Sequence, residues 1–269
     1  PGTMKRTLAL LLLALPAAAR ADDRTRAAVD AALGQPALSP AAPQPDAASE
    51  EAGRALFFDR SLSPGRDRSC ASCHDPARAW AGGAREAGGR EVPSLLGAGR
   101  RGPFFWDGRE DTLENAILSE LRDPRAMGLD DRVLAARLDS FPLPLGAGSR
   151  AERAAGALAA FLRAKAAGGA SPFHRARLEP SALSPAAARG LAVFTGKGKF
   201  ASCHVGPALS DGSFYRVGLT DADPLDRGRE AIVAVRSMRG GFRTPPLLGA
   251  GRTAPYMHDG RLKTLREVV

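Results

Sequence analysis

Two thiols spaced by two residues and followed at once by an imidazole, Cys70-Ala71-Ser72-Cys73-His74, are the residues of this chain best equipped for chemistry. Cysteines at that spacing can add to the two vinyl groups of a haem, and the adjacent histidine then reaches the iron as an axial ligand. A redox-active dithiol needs the same two cysteines but has no use for the histidine. A disulfide between Cys70 and Cys73 is the third reading. Further along, Phe200-Ala201-Ser202-Cys203-His204 carries phenylalanine in the slot of the first cysteine. Only one thioether is available there, through Cys203, yet ligation by His204 does not depend on the missing one. The alternatives are a dead second site or a misread codon at Phe200.

An internal repeat decides whether that second element is an accident. Residues 93–117, PSLLGAGRRGPFFWDGREDTLENAI, align without a gap on residues 245–269, PPLLGAGRTAPYMHDGRLKTLREVV, at an offset of 152, and 13 of the 25 positions are identical. Homologous modules are therefore present, and a Cys-His element precedes each copy. The second element occupies the place of the first, which predicts a second haem bound through His204.

The elements that must hold these residues read as helices. Asp111-x-x-Glu114 opens an apolar stripe of Leu113, Ile117 and Leu121. Ser149-x-x-Glu152 is a capping box before an Ala-rich run to Lys165, and Ser184-Pro185 starts a helix through Val193. Gly/Pro-rich loops at 81–103, 142–148 and 238–255 join them, and alternating β-type runs are almost absent. Long loops in a compact domain are expected to wrap something. At the start, Met4-Lys5-Arg6, the apolar run Leu8 to Leu15 and Ala19-Arg20-Ala21 read as a secretory signal peptide over residues 1–21, with residues 1–3 ahead of its methionine. Its apolar core is too short to span a bilayer. Residues 22–48, rich in Ala, Pro and Asp, read as a flexible lead-in. Three cysteines cannot all pair, which argues against a disulfide framework. The formal charge of +9 falls to +6 when Lys5, Arg6 and Arg20 leave with the signal peptide (9 − 3). The arginines are scattered without aromatic interleaving on an exported chain, so nucleic-acid binding is excluded.

Leu56-Phe57-Phe58-Asp59, the CASCHDP motif, Phe105-Trp106-Asp107-Gly108-Arg109, the second Cys-His element and Pro255-Tyr256-Met257-His258-Asp259-Gly260-Arg261 together resemble the bacterial di-haem cytochrome c peroxidases and the related MauG enzymes over about residues 50 to 269. The resemblance implies a mainly α fold: two cytochrome-c-like helical domains with long loops, at 49–167 and 168–269, each with one haem c. The haem on His74 would meet peroxide and the haem on His204 would store or relay an electron. Trp106 corresponds to the family's tryptophan between the haems, with an ordinary core tryptophan as the alternative. A calcium ion is implied as well, held by Glu91, where the family usually has asparagine, and by the carbonyls of Thr253 and Pro255. A carboxylate is an equally suitable hard oxygen ligand. A homodimer is also implied.

The chain departs from the family at the place where peroxide would bind. No histidine lies between His74 and His174, so the loop histidine that caps the resting first haem in many peroxidases is missing, as in MauG. The family's distal Gln and Glu fall on Ala116 and Ala126, and an alanine cannot move a proton during O–O cleavage. The family commonly has proline where this chain has Glu120, which follows Ala116 by four residues on the same helical side. The axial Met or Tyr of the family's second haem would fall at position 272, three residues past Val269, so the second copy is expected to be truncated. Subtracting the offset of 152 from 272 gives 120. Glu120 is thus expected to approach the first iron, as a relocated acid-base group or a weak carboxylate ligand, with a solvated helix glutamate as the alternative.

Three functions follow. The leading one is a periplasmic di-haem peroxidase that reduces hydrogen peroxide with electrons from a small donor such as a cytochrome c or cupredoxin, with Glu120 and Trp106 as its catalytic residues. The second is MauG-like oxidation of side chains in a partner protein. The third is a non-enzymatic electron-transfer cytochrome, favoured by Ala116 and Ala126. His174 reads as a surface residue, Met257 as loop packing, and His258, aligned with Trp106, as a loop or propionate contact.

Overall fold

The computed structural model describes residues 17–34, 45–82, 89–99, 102–165, 171–218 and 225–269. Helices dominate them, and the β structure comprises one two-stranded antiparallel sheet, Phe214–Tyr215 on Phe242–Arg243, with a few isolated bridges. The chain divides into two compact units, Pro1–Leu38 with Gly169–Leu209 and Ser39–Gly168 with Ser210–Val269. These units do not follow the expected division at 167/168. Residues 210–269 join the first haem module, because the two repeat copies exchange backbone hydrogen bonds. Glu91 N–H donates to His258 O at 2.7 Å, and Arg243 N–H donates to Trp106 O at 2.8 Å. Positions 91 and 243 are related by the repeat offset, as are 106 and 258, so the exchange is reciprocal.

The core of the larger unit lies between helices Ala47–Phe58, Leu113–Arg122, Asp131–Leu138 and Arg150–Lys165. Each begins at a side chain that accepts an otherwise orphaned N–H: Asp46 for Ser49, Thr112 for Asn115, Asp130 for Val133, and Ser149 for Glu152. The Glu152 carboxylate accepts in return from Ser149 N–H at 2.7 Å, which completes the capping box read from the sequence. The Leu113 helix is capped by Thr112 instead of Asp111, one residue later than expected. Phe57, Leu121, Leu134, Leu158 and Phe161 are at most 2% exposed, and burial of each such side chain contributes about 1.5–3 kcal/mol. Phe57, Phe58, Trp80 and Phe161 stack mostly edge to face, with Trp80 within 5.3 Å of Phe57 and 5.8 Å of Phe161.

In the smaller unit a helix occupies part of the stretch 22–48 that was expected to be a flexible lead-in, while residues 35–44 lie outside the described residues. A helix covers Ala17–Leu33 and runs through the expected cleavage junction Ala21–Asp22, while the apolar run Leu8–Leu15 lies outside the described residues. Val29, Ala32 and Leu33 are buried against Ala176 and Leu191, and the Asp30 carboxylate pairs with Arg177 at 2.9 Å. An Ala/Asp/Arg-rich segment looks solvated in isolation, but three small apolar residues on one face suffice once a partner helix, Pro185–Thr195, covers them. Among the described residues no helix is long and apolar enough to cross a membrane.

Gly53 is where the helices Ala47–Phe58 and Arg150–Lys165 meet backbone to backbone. A Cβ there would stand 1.9 Å from Ala157 O and 2.8 Å from Phe161 Cβ. Gly53→Ala is expected to lower stability by about 1–3 kcal/mol, the cost of overpacking, read as a lower denaturant midpoint at unchanged slope. A neutral substitution would mean that these helices do not pack as described.

Candidate functional site: two Cys-His elements and a polar hub

Residues 70–73 form a single helical turn. Ser69 N–H donates to Ser72 Oγ and Ser72 N–H to Ser69 O, both at 3.0 Å, and His74 N–H returns to Cys70 O at 2.9 Å. The chain then doubles back through Ala79 and Trp80, both in the left-handed region at φ 56° and 60°. This brings Trp80 O to 3.2 Å from His74 Nδ1. A carbonyl can only accept, so Nδ1 carries the hydrogen and Nε2 keeps its lone pair for a metal. Burial pushes the imidazole down to about 4 against the pull of the Trp80 and Pro93 carbonyls, which keeps it neutral. Burial also pushes the Cys70 thiol up to about 12, with the charges of Glu120 and Cys73 adding to it. Such a thiol stays protonated and is a poor redox nucleophile. Cysteines 70, 73 and 203 are not disulfide-bonded. The dithiol and disulfide readings therefore lose ground to thioether attachment.

The second element is built the same way. His204 N–H donates to Phe200 O at 2.9 Å, Ser202 N–H to Lys199 O at 3.1 Å, and His204 Nδ1 lies 3.0 Å from Leu209 O. Leu209, like Trp80, is left-handed, at φ 53°. The Phe200 ring stacks on Phe194 at 5.6 Å and 17°. It fills the first-cysteine slot as a packed side chain and leaves the turn geometry intact. Both histidines thus present an Nδ1 tied to a backbone carbonyl beside one or two thiols, a donor set that fits covalently bound haem. His174 is not a simple surface residue: Ser171 Oγ lies 2.8 Å from its Nδ1, and its Nε2 lies 2.9 Å from Pro207 O.

The repeated loops share local geometry as well as sequence. Gly102-Pro103 and Ala254-Pro255 are both cis, and Phe105 and Met257 are both left-handed. Phe104 N–H bonds Glu110 O, and Tyr256 N–H bonds Leu262 O, each at 2.7 Å. Asp107 and Asp259 each accept from the backbone N–H two residues on, at 3.2 Å. Trp106 Nε1–H donates to Glu91 O at 2.8 Å, and its ring meets that of its repeat counterpart His258 edge to face at 6.5 Å. His258 stacks on Phe242 at 3.6 Å and 14°. The buried Glu91 carboxylate lies against Gly260, where a Cβ would come within 2.6 Å of Glu91 Oε2 and 3.1 Å of Pro255 Cγ. Glu91 and Pro255 are therefore neighbours, with Thr253 two residues away. Among the described residues no three His, Cys, Asp or Glu side chains form a metal cluster, so a cation there would lean on carbonyl oxygens.

Glu120 lies on the helix Leu113–Arg122, its side chain 35% exposed, with Oε1 3.6 Å from Arg109 Nη2. Burial holds its carboxyl above the ordinary range, Arg109 and Arg125 oppose the shift, and Asp123 adds to it. Arg109 itself lies over the Phe105 ring at 3.5 Å and donates to Asp107. Ala116 is buried in the core and Ala126 half-buried in the following turn. Sequence reading missed a second hub: Arg90 donates bidentately to Asp226 at 2.8 and 2.7 Å and to Asp107 at 2.7 Å, all three side chains at most 15% exposed. Arg229 caps the same loop through the carbonyls of Asp107 and Gly108. The repeated DGR triplet was the available signal for Asp107 and Arg109, whereas Arg90 and Asp226, 136 residues apart, left none.

A helical chain with two Cys-His turns of matching hydrogen bonds and paired WDGR and HDGR loops has the frame of a di-haem c-type protein. The profile of the di-haem cytochrome c peroxidase family matches residues 47–179. MauG of Methylorubrum extorquens is 38% identical over 234 residues, covering 81% of this chain and 66% of that protein. Cytochrome-c peroxidase IdrP2 of Pseudomonas sp. is 32% identical over 290 residues, 88% of this chain and 78% of that protein. Two crystal structures superpose with a TM-score of 0.72 each. One is a MauG-like protein associated with microbial copper homeostasis, 27% identical over 86% of this chain and 80% of that one. The other is the dihaem peroxidase BthA of Burkholderia thailandensis, 26% identical over 83% and 71%. The chain belongs to the di-haem cytochrome c peroxidase and MauG family of oxidoreductases, and it spans 66% of the length of MauG.

Arg90 neutralises two nearly buried aspartates, so Arg90→Gln leaves Asp226 without its guanidinium and Asp107 with the longer contact to Arg109 at 3.4 Å. The expected loss is about 3 kcal/mol at neutral pH, since breaking a buried pair leaves uncompensated charge. Asp226, though raised by burial, is held below the ordinary carboxyl value by Arg90 and Gly228 N–H. A depressed carboxyl stabilises the fold above its unfolded value and loses that contribution as pH falls. The gap between wild type and Arg90→Gln is therefore expected to narrow in acid, as seen in denaturation midpoints measured from neutral pH downward. A gap independent of pH would contradict the charge argument.

Proposed function

We propose that this protein is an exported, periplasmic di-haem c-type peroxidase that reduces hydrogen peroxide with electrons from a small redox protein such as a cytochrome c or cupredoxin. The observation that carries the reading is the matched pair of histidines, His74 and His204, each following a Cys-His turn of the same hydrogen-bond pattern and each with Nδ1 tied to a backbone carbonyl. Cys70, Cys73 and His74 would hold the first haem, and Cys203 with His204 the second through a single thioether. When bound, these groups supply the iron chemistry of peroxide reduction and storage of the second oxidising equivalent.

The chain's own residues have three tasks in this reading. Peroxide reduction consumes two electrons and two protons and yields two waters, so a proton donor is required where the family's acid-base pair has become Ala116 and Ala126. Glu120 is the proposed donor. Its carboxyl is held above the ordinary range by burial, and Arg109, anchored on Asp107 and Phe105, orients it. Trp106 is the proposed electron relay, fixed by its Nε1–H bond to Glu91 O. Glu91, with the carbonyls of Thr253 and Pro255, is proposed to bind calcium and hold the Trp106 loop. A homodimer is the assembly the family resemblance favours.

The second reading is MauG-like oxidation of a partner protein. It is favoured by the absence of any histidine between His74 and His174 and by the 38% identity to MauG. An electron-transfer cytochrome without catalysis is the third, favoured by Ala116 and Ala126.

Steady-state peroxide consumption with reduced cytochrome c separates the first reading from the third. Glu120→Gln is expected to slow the peroxide reaction roughly 100-fold or more, the usual weight of a general acid, and to alter the haem spin state. Unchanged spectra together with unchanged rates would remove Glu120 from the site. Cys203→Ala is expected to lower the covalently attached haem from two to one per chain, counted by mass spectrometry under denaturing conditions.

A further inference from the structure

We propose that His174 is a positioning residue for the second haem, acting through the loop that orients His204. This rests on the reading that His204 ligates a haem. His174 follows the N-cap Ser171 on the short turn Pro172–Arg175, and both of its ring nitrogens are engaged. Nε2 lies 2.9 Å from Pro207 O, which can only accept, so Nε2 carries the hydrogen. The other ring nitrogen, Nδ1, lies 2.8 Å from Ser171 Oγ. Pro207 lies midway along the loop from Val205 to Leu209, and Leu209 O is the acceptor for His204 Nδ1.

The same loop is also held by Gly206 N–H, which donates to Ala32 O at the end of the helix Ala17–Leu33. Internally, Leu209 N–H bonds Gly206 O at 2.9 Å. Leu209 must hold a left-handed backbone, at φ 53°, to aim its carbonyl at the imidazole. A non-glycine residue persists there only when its surroundings over-determine it. His174 and Ala32 supply that constraint from two sides.

The consequence is electronic. A well-aligned carbonyl on Nδ1–H raises the basicity of a ligating imidazole and favours the ferric state. If the His174 bond to Pro207 is lost, Leu209 relaxes, the Nδ1–H bond lengthens, and the second haem becomes easier to reduce. The first Cys-His element has Trp80 in the role of Leu209, held within an aromatic cluster, so the effect is confined to the second haem.

The test is a spectroelectrochemical titration of the purified full chain, resolving the two haems, on wild type, His174→Phe, His174→Gln and Ser171→Ala. His174→Phe keeps an aromatic ring but no hydrogen bond. It is expected to shift the ferric–ferrous equilibrium of the second haem roughly three- to tenfold toward ferrous, up to about 59 mV for one electron. The first haem should stay fixed. His174→Gln can donate from its amide to Pro207 O and should recover most of the wild-type value. Ser171→Ala, which only loosens the ring, should lie between them. Equal potentials across the set, or a shift that glutamine does not rescue, overturns the role of His174. A wild-type chain that carries only one haem overturns the second-haem reading and this proposal with it, whereas two haems with an unmoved second potential overturn this proposal alone.

Discussion

The structure of the larger unit depends on one reciprocal exchange of backbone hydrogen bonds between the two repeat copies. Glu91 N–H reaches the carbonyl of His258, and Arg243 N–H reaches the carbonyl of Trp106. Each copy thereby satisfies a peptide group that the other would leave orphaned inside loops with little sheet or helix of their own. Everything proposed to act around Trp106 hangs from these two bonds. The Trp106 indole donates to Glu91 O, the Glu91 carboxylate meets Gly260, and His258 is pressed between Phe242 and the edge of Trp106. The long loops wrap one another, which is why they can stay irregular in a compact body.

Around that exchange the charges form a scaffold. Arg90 binds Asp107 and Asp226, Arg109 binds Asp107 and approaches Glu120, and Arg229 takes the Asp107 and Gly108 carbonyls. Asp107 is thus held by two guanidiniums while its own backbone faces a third. A bidentate fork on nearly buried carboxylates gives direction as well as energy, and lysine could not replace it. The same network connects the tryptophan loop to Glu120 through Arg109, so the proposed proton donor and the proposed relay share one rigid support.

Helix starts at Ser149-Glu152 and Ser184 were legible in the sequence from their caps, whereas the caps Asp46 and Asp130 went unread. The 25-residue repeat was legible from identity alone. It pointed to a second Cys-His element despite Phe200 in the first-cysteine slot, and that element has the hydrogen bonds of the first. What stayed hidden has a common physical cause: partners distant in sequence or without side-chain identity. The burial of Val29, Ala32 and Leu33 is decided by Leu191 and Ala176, and a weak apolar stripe cannot announce its cover. His174 binds a backbone carbonyl 33 residues away, and any residue type could have supplied that oxygen. The grouping of 210–269 with the first module was hidden for the same reason, since the bonds that draw them together are made by peptide groups.

Backbone conservation between the copies alongside side-chain divergence is itself an argument about function. The cis prolines, the left-handed residues at 105 and 257, the paired aspartates and the exchanged peptides are duplicated. The side chains at equivalent positions are not: Trp106 against His258, Phe105 against Met257, and Glu91 against Arg243. The last pair is decisive for any cation. At one position the fold presents a buried carboxylate beside Pro255, and at its counterpart a guanidinium whose ionisation is disfavoured by burial. A guanidinium offers no oxygen ligand to a cation, so Arg243 cannot take at its position the part proposed for Glu91. Likewise only one half has an indole whose N–H is aimed at the peptide oxygen of that carboxylate residue. Duplication supplies the frame, and the side chains that differ at its equivalent positions, Trp106 against His258 and Glu91 against Arg243, make its two halves chemically distinct.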